Sequence, residues 1–243
     1  MPDTMSPLAQ ALAEYGEVEV KPLSRIHALS AKATARNWAA IPHVTHNDRF
    51  DVTAIESKRK QRNADRAATA RLTLLPFLIK ATATALLRHP QFNAAFDSET
   101  SSLVLRRYIN IGIVIDSPKG LLIGTIKQCA DKTVEVIAGE AGALAEKART
   151  KGLSVADMTG GSFTISSLGP LGGTGFTPII NGAEAGILGV SRLEEAPVRG
   201  PGDAIEWRKL LPVSLSYDHR IVNGADAGRL LADIDAELKL LAT

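Results

Sequence analysis

A histidine near the C-terminus is the first residue whose type and position could do chemistry. His219 stands between Asp218 and Arg220, at the end of a segment in which apolar and polar residues alternate. That alternation predicts a half-buried strand over 213–218. A histidine at a strand-to-turn junction enters a cleft on a rigid support, and histidine is the side chain most often used as a general base near neutral pH. A structural histidine beside an aspartate and an arginine explains the spacing at least as well, so both interpretations stay open here.

A serine earlier in the chain is the second candidate. Ser166 lies at the end of a predicted strand, 163–166, in the sequence Thr-Ile-Ser-Ser-Leu-Gly. This sequence is not the Gly-x-Ser-x-Gly elbow that activates the serine of many hydrolases. A fixed hydroxyl near a histidine can act without being a nucleophile, by donating a hydrogen bond to an oxyanion. Ser166 is therefore a candidate donor.

Two other patterns do not indicate a site. The glycine-rich run 169–175 matches neither the dinucleotide fingerprint nor the nucleotide-phosphate loop, because no Gly-Lys-Ser/Thr follows it and it opens no clear helix. His43 and His46 lie three residues apart on an extended segment, so they point to opposite faces and cannot chelate one metal ion together. With Cys129 as the single cysteine and no second histidine–carboxylate cluster, we expect no metal centre.

Helices and strands are intermixed along the chain, which predicts an α/β fold with a mixed sheet. Ser24 and Thr73 are predicted helix caps, with a proline in the first turn after Thr73. The loop 194–203 is predicted to form a hairpin tip. The predicted helices are 25–39, 55–68, 74–87, 133–150 and 225–241, and the predicted strands are 103–105, 109–115, 121–123, 163–166, 179–180, 187–190 and 213–218.

Composition is that of an ordinary globular protein. The 243 residues are 45% hydrophobic and 22% charged, and the net charge of +2 is too small to argue for nucleic acid. A single cysteine allows no internal disulfide and fits a reducing compartment. The most apolar stretch, 72–87, contains Lys80 and is short for a membrane span, and no signal peptide is apparent. We expect a cytoplasmic protein with one domain at 21–243, preceded at 1–20 by an arm or linker remnant.

Four segments resemble the acyltransferase core of 2-oxo acid dehydrogenase complexes. Asp-His-Arg-Ile-Val-Asn-Gly at 218–224 is similar to that family's signature Asp-His-Arg-x-x-Asp-Gly, and three further segments resemble its other motifs in the same order: 41–45, 110–121 and 163–181. The resemblance runs from about residue 17 to the C-terminus. It implies the chloramphenicol-acetyltransferase-like fold, a two-layer sandwich with a mixed sheet, and trimers with the active site between subunits. In the family, trimers assemble further into hollow shells.

The resemblance also implies roles for the candidate residues. His219 is the general base and Ser166 the oxyanion donor, supplied by neighbouring subunits. Asn223 stands where the common motif has aspartate, as is frequent in the pyruvate-type branch, and its amide can still donate to the oxyanion. Coenzyme A contacts fall on Arg59, Thr73, Asp116 and Ser191. For those four positions a cap, a turn, a strand end or a solvated helix face is an equally good explanation.

The expected function is transfer of an acyl group, with acetyl favoured, between dihydrolipoamide and coenzyme A. The family's lipoyl domain and peripheral-subunit-binding domain are not in this sequence, so the lipoyl group is expected on another chain or domain, with 2-oxo acid decarboxylase subunits as further partners. Gly124-Thr125 replaces the family's usual Pro-Val near the substrate channel, and Gly182-Ala183 replaces its usual proline-rich turn after Asn181, which leaves the acyl group open. The alternatives are a non-catalytic scaffold subunit and an acyltransferase with a non-lipoyl acceptor.

Overall fold

A large mixed sheet is the centre of the structure, a computed structural model that describes residues 5–67, 71–118 and 120–243. The helices are α1 Pro7–Ala13, α2 Arg25–Ala40, α3 Thr53–Arg62, α4 Leu75–Leu86, α5 Val134–Thr150, α6 Val155–Met158 and α7 Gly224–Leu240. The strands are β1 His43–Asp51, β2 Ala94–Asp97, β3 Ser102–Leu105, β4 Ile111–Ser117, β5 Gly120–Ile126, β6 Phe163–Ser167, β7 Gly186–Val190, β8 Glu194–Arg199 and β9 Ile205–Asp218.

The strand order β1-β9-β7-β6-β4-β5 combines both kinds of pairing. β4 with β6, and β6 with β7, run parallel, and the other neighbours run antiparallel. β8 pairs with the first part of β9, and β2 and β3 form a separate hairpin. The predicted α/β class with a mixed sheet is confirmed.

The two faces of the sheet differ in chemistry. Helices α4, α5 and α7 cover one face, against which β6 and β9 place apolar residues such as Ile165 and Leu215. The alternate positions of the same strands are polar, because successive side chains point to opposite faces. Thr164, Ser214 and Ser216 are buried there. A buried hydroxyl is costly unless it is hydrogen-bonded, and these three have partners. The candidate serine therefore lies on a polar, fixed surface.

Of the two predicted helix caps, Ser24 is confirmed and Thr73 is wrong. The Ser24 side chain accepts a hydrogen bond from the backbone of His27. Thr133, which was predicted as the first residue of a helix, caps α5 in the same way. Thr73 is not a cap, since α4 begins after Leu74 and its first turn has no side-chain cap. The basic helix α3 ends at Arg62, earlier than predicted, and its predicted end at 68 lies outside the described residues.

Three strand predictions are wrong. Segment 194–203 does hold the tip of a hairpin, formed by β8 and β9, but its first six residues are the strand β8 and not a loop. Segment 179–180 is not a strand. The strand predicted at 213–218 was expected to have one solvated face, but β9 is buried on both faces from 210 to 218. The turn predicted at 118–120 includes position 119, which lies outside the described residues. In the described part of the chain, no helix is long and apolar enough to cross a membrane.

Candidate active site

His219 follows directly on β9 and faces solvent in the single chain. Its backbone N–H donates to the carbonyl of Pro42 at 3.1 Å, and its ring lies 5.8 Å from the ring of Tyr217, measured between centroids. Within the described residues, neither ring nitrogen makes a hydrogen bond. The imidazole is thus open to accept a proton from a bound molecule.

The charged neighbours of the histidine bind each other. Arg220 donates from Nη2 and Nε to the carboxylate of Asp218, at 2.6 and 2.9 Å, and this pairing raises the pKa of Arg220. The guanidinium also stacks over the ring of Phe96, 4.6 Å from its centroid. The interpretation of His219 as a structural residue paired with these charges is therefore not supported by the geometry.

Ser166 lies inside the sheet, on the polar face of β6. It is 9% exposed, and it pairs across β6 and β7 with Gly189. The ring of Phe176 packs so closely over Gly189 that an added Cβ there would lie 2.7 Å from it. The Ser166 hydroxyl makes no hydrogen bond to another described residue, so it has a donor to offer in a fixed position.

One chain does not bring Ser166 and His219 together. Ser166 is level with Gly189 and, through β7, with Ser214 on β9. His219 lies five residues beyond Ser214, on a strand two places away. With a rise of about 3.3 Å per residue and a strand spacing of about 4.8 Å, the two residues are about 19 Å apart. A hydrogen bond needs about 3 Å. A single chain therefore does not place the two residues within reach of one bound molecule.

Asn223 is the N-cap of α7. Its side-chain oxygen accepts from the backbone N–H groups of Ala225 and Asp226, at 2.9 and 3.1 Å, and Asp226 returns the contact in a capping box. The cap uses the side-chain oxygen and leaves the amide N–H donors for other partners. This position is four residues beyond His219, on the same turn.

A cavity of about 620 Å³ brings two of the predicted coenzyme A contacts together. Thr73 and Ser191 both line it, as does Ser167, the neighbour of Ser166. Arg149 and Arg192 add positive charge at its wall. The remaining lining is largely apolar, with Leu74, Leu75, Leu78, Val114, Val190, Leu193 and Leu211.

Arg59 and Asp116 lie outside this cavity. Arg59 makes two bonds to Glu56, at 2.7 and 2.8 Å, and a third to the carbonyl of Leu72 at 3.0 Å. Glu56 raises the pKa of Arg59. Asp116 is exposed on β4, two residues beyond the cavity-lining Val114 and therefore on the same face.

Two polar residues, the half-buried His43 and the buried Glu184, have structural roles that the sequence did not indicate. His43 links two segments, because its Nδ1 donates to the carbonyl of Ile41 at 2.8 Å and its Nε2 accepts from the backbone of Ile180 at 3.0 Å. Glu184 is 4% exposed, and burial raises its pKa to about 7. Glutamate is almost never fully buried unless it is paired, so the default expectation for Glu184 is exposure. No signal in the neighbouring sequence indicates that it is buried. Among the described residues there is no cluster of histidine, cysteine and carboxylate side chains that could hold a metal ion.

The fold is the one that chloramphenicol acetyltransferase has. That structure superposes with a TM-score of 0.58, covering 90% of this chain and 100% of that chain at 14% sequence identity. At this identity the likeness shows the fold alone. The expected chloramphenicol-acetyltransferase-like architecture is confirmed.

Two solved structures are much more similar. The dihydrolipoamide acetyltransferase of Azotobacter vinelandii, crystallised to study the catalytic role of a serine, a histidine and an asparagine, has a TM-score of 0.89 and 41% identity, over 100% of this chain and 97% of that chain. The cubic core of the pyruvate dehydrogenase multienzyme complex has the same TM-score of 0.89 and 41% identity, over 98% of this chain and 96% of that chain.

The family is shown by sequence as well. The family model for the catalytic domain of 2-oxoacid dehydrogenase acyltransferases matches residues 15–242. The acetyltransferase component of the pyruvate dehydrogenase complex from Azotobacter vinelandii is 44% identical over 234 residues, which is 93% of this chain and 36% of the relative. The chain belongs to the 2-oxoacid dehydrogenase acyltransferase family. It spans about two-fifths of the length of the curated relatives it matches.

Proposed function

We propose that this chain transfers an acyl group between dihydrolipoamide and coenzyme A, with acetyl as the preferred group. The observation that carries the proposal is the 44% identity to an acetyltransferase component over 93% of the chain. The reaction exchanges a thiol with a thioester. It needs a base for the attacking thiol and donors for the oxyanion that forms on the carbonyl.

His219 is the general base in this proposal. A thiol with a pKa of about 8.5 is mostly protonated at neutral pH, so a base that takes its proton during attack speeds the reaction. The sulfur bonds to the thioester carbon, and the imidazole then returns the proton to the departing sulfur. The exposed ring, free of hydrogen bonds within the described residues, supports this role.

Ser166 and Asn223 are the proposed oxyanion donors. The hydroxyl of Ser166 is held on the polar face of the sheet, so it need not reorganise as negative charge develops on the oxygen. The amide of Asn223 keeps its N–H donors because its oxygen alone makes the helix cap. Preorganised donors of this kind stabilise the tetrahedral intermediate more than the ground state.

The active site is proposed to form between subunits of a homotrimer. The separation of about 19 Å between Ser166 and His219 within one chain supports this, because only another copy can supply the missing half. The similarity to the cubic core of the pyruvate dehydrogenase complex supports assembly of the trimers into a larger shell. In that arrangement, residues 21–243 are the acyltransferase domain and 1–20 an arm.

The cavity at Thr73 and Ser191 is the proposed coenzyme A site. Arg149 and Arg192 suit the phosphates of coenzyme A, and the apolar wall suits its pantetheine arm. Arg59 lies close by, since it binds the carbonyl of the residue before Thr73. In this proposal Arg59 gives up its bond to the Leu72 carbonyl and binds a phosphate of coenzyme A instead. Asp116 contacts coenzyme A at the rim of the cavity.

The lipoyl group is proposed to come from another chain or domain, brought by an assembly that contains 2-oxo acid decarboxylase subunits. A lipoyl group that swings between such subunits delivers the acyl group to the trimer. The single cysteine, Cys129, is a buried free thiol, and it supports the predicted cytoplasmic location.

The test is an assay of the purified protein with acetyl coenzyme A and free dihydrolipoamide. We expect formation of the acetylated dithiol, and saturation by both substrates. Parallel assays with longer acyl thioesters, and with alcohols and amines as acceptors, define the substrate. Transfer to a non-thiol acceptor alone, or no transfer by a correctly assembled particle, contradicts the proposal.

A further inference from the structure

Glu184 is a buried carboxyl in the loop that connects to β7. Its Oε2 accepts a hydrogen bond from the hydroxyl of Thr164 at 2.7 Å, and its Oε1 accepts from the side chain of Asn181 at 3.1 Å. No arginine or lysine of the described residues forms an ion pair with it. Such a carboxyl is costly to bury, so its place in the fold needs a reason.

The bond to Thr164 connects the loop to the strand that carries Ser166. Thr164 and Ser166 lie two residues apart on β6, so they point to the same polar face. Thr164 is fully buried and packs closely against Gly112 on the next strand, where an added Cβ would lie 2.8 Å from the Thr164 hydroxyl. The carboxyl of Glu184 is thereby held against a rigid strand.

The other end of the same loop holds the turn that carries His219. The residue after Glu184 is Ala185, whose carbonyl accepts from the backbone N–H of Asp218 at 2.9 Å. Asp218 is the last residue of β9 and immediately precedes His219. The loop therefore contacts both catalytic ends of this chain, although the two ends are far apart.

The charged groups around the loop are few. Arg106 donates from its guanidinium to the carbonyl of Ala183 at 2.9 Å, and its charge lowers the pKa of Glu184 against the larger effect of burial. Asp218 and Arg220 neutralise each other at the end of β9. Both line a small cavity of about 350 Å³ together with Glu184 and with Arg36 of α2. The main contacts of the Glu184 carboxyl are therefore its two hydrogen bonds, to Thr164 and to Asn181.

We propose that Glu184 is a positioning residue, which fixes the loop 181–185 between the Ser166 strand and the His219 turn and so sets the placement of both catalytic side chains. The inference rests on the proposed acyl transfer for its kinetic part only. Misplacement of a reacting group by about 1 Å costs on the order of 100-fold in rate. Loss of Glu184 is therefore expected to lower kcat by about 10- to 100-fold and to leave the KM for coenzyme A unchanged.

The experiment compares four variants by steady-state kinetics and by hydrogen exchange of the assembled protein. Glu184→Ala removes both bonds, Thr164→Val removes one without changing shape, and Glu184→Gln keeps a group that can bond to both partners. Thr82→Val is the matched control, because Thr82 is buried on α4 and its hydroxyl has no partner among the described residues.

Glu184→Ala and Thr164→Val are expected to speed exchange in two segments, 163–167 and 213–222, and to lower kcat. Glu184→Gln is expected to keep the exchange rates and kcat close to those of the wild type, and Thr82→Val is expected to change neither quantity. Unchanged exchange at 213–222 in Glu184→Ala and Thr164→Val overturns the coupling, whatever the activity. If the wild-type protein transfers no acyl group while exchange responds as expected, the coupling stands and the proposed function fails.

Discussion

The two candidate catalytic residues of this chain, Ser166 and His219, are held in different ways. Ser166 lies within the sheet, in parallel register with β7, and its hydroxyl is nearly buried. His219 has left the sheet, and a backbone bond to Pro42 and the adjacent Asp218–Arg220 pair hold its turn. The donor is rigid and enclosed, whereas the base is exposed. In the proposed mechanism the enclosed donor and the exposed base act on one substrate, and the strand register of a single chain keeps them too far apart to do so.

The largest effect is expected from removal of the exposed base. His219→Ala is predicted to lower kcat by about 10²- to 10⁴-fold, because the attacking thiol loses its proton acceptor. Steady-state assays with acetyl coenzyme A measure it, with His27→Ala as a control at another exposed histidine. Turnover within twofold of wild type would remove His219 from the mechanism.

The enclosed donor is expected to have the next largest effect. Ser166→Ala is predicted to lower kcat by about 10²- to 10³-fold, since one donor to the oxyanion is lost. Ser57→Ala, which changes an exposed serine on α3, should leave kcat unchanged. A loss seen only in KM would mean that Ser166 binds substrate and does not stabilise the intermediate.

Glu184, which links the Ser166 strand to the His219 turn, gives a prediction for how the stability of the folded protein depends on pH. Burial raises the pKa of Glu184 from 4.5 to about 7, so between these values the folded state holds a proton that the unfolded state has lost. The contribution of this carboxyl is fully present below pH 4.5 and is lost as the pH rises through about 7.

A shift of this size corresponds to about 3 kcal/mol, taking 1.36 kcal/mol per pKa unit. Glu184→Gln cannot titrate, so wild type should lose about 3 kcal/mol relative to it between pH 4.5 and pH 8. Urea unfolding at one fixed protein concentration measures the difference, since assembly adds to apparent stability. Parallel pH curves for the two proteins would show that Glu184 does not titrate in this window.

Asn223 permits a finer test at the exposed end, because its cap and its proposed donor use different atoms. Asn223→Ala is predicted to lose about 1 kcal/mol of stability with the helix cap, in addition to activity. Asn223→Asp keeps the cap and loses the amide donors, so its stability should match wild type while kcat falls. Equal kcat in wild type and Asn223→Asp would assign Asn223 to the cap alone.

The sequence predicts where helices begin better than it predicts which strands pair and which polar residues are buried. Ser24 caps a helix as predicted, because a cap depends on residues within one turn. β8 was missed because Pro197 and the following glycines resemble a loop. Proline is tolerated there because β8 lies off the main strand order and pairs only with β9.

Burial of polar residues could not be predicted locally. Ser214 and Ser216 alternate with apolar residues, which is the pattern of a strand with one solvated face. Their actual partners are Asn47 and Thr45 on β1, more than 160 positions away in the sequence. The candidate site residues were predicted from motifs, and the distance between Ser166 and His219 within one chain could be estimated only from the register of three strands.

The central claim is that each active site takes Ser166 from one subunit and His219 from another. Ser166→Ala and His219→Ala proteins, each nearly inactive alone, can be unfolded, mixed in equal amounts and reassembled. With random assembly, about a quarter of the sites should contain both wild-type residues and about a quarter of wild-type activity should return. Activity no higher than that of the separate variants would contradict the claim and place the whole site within one chain.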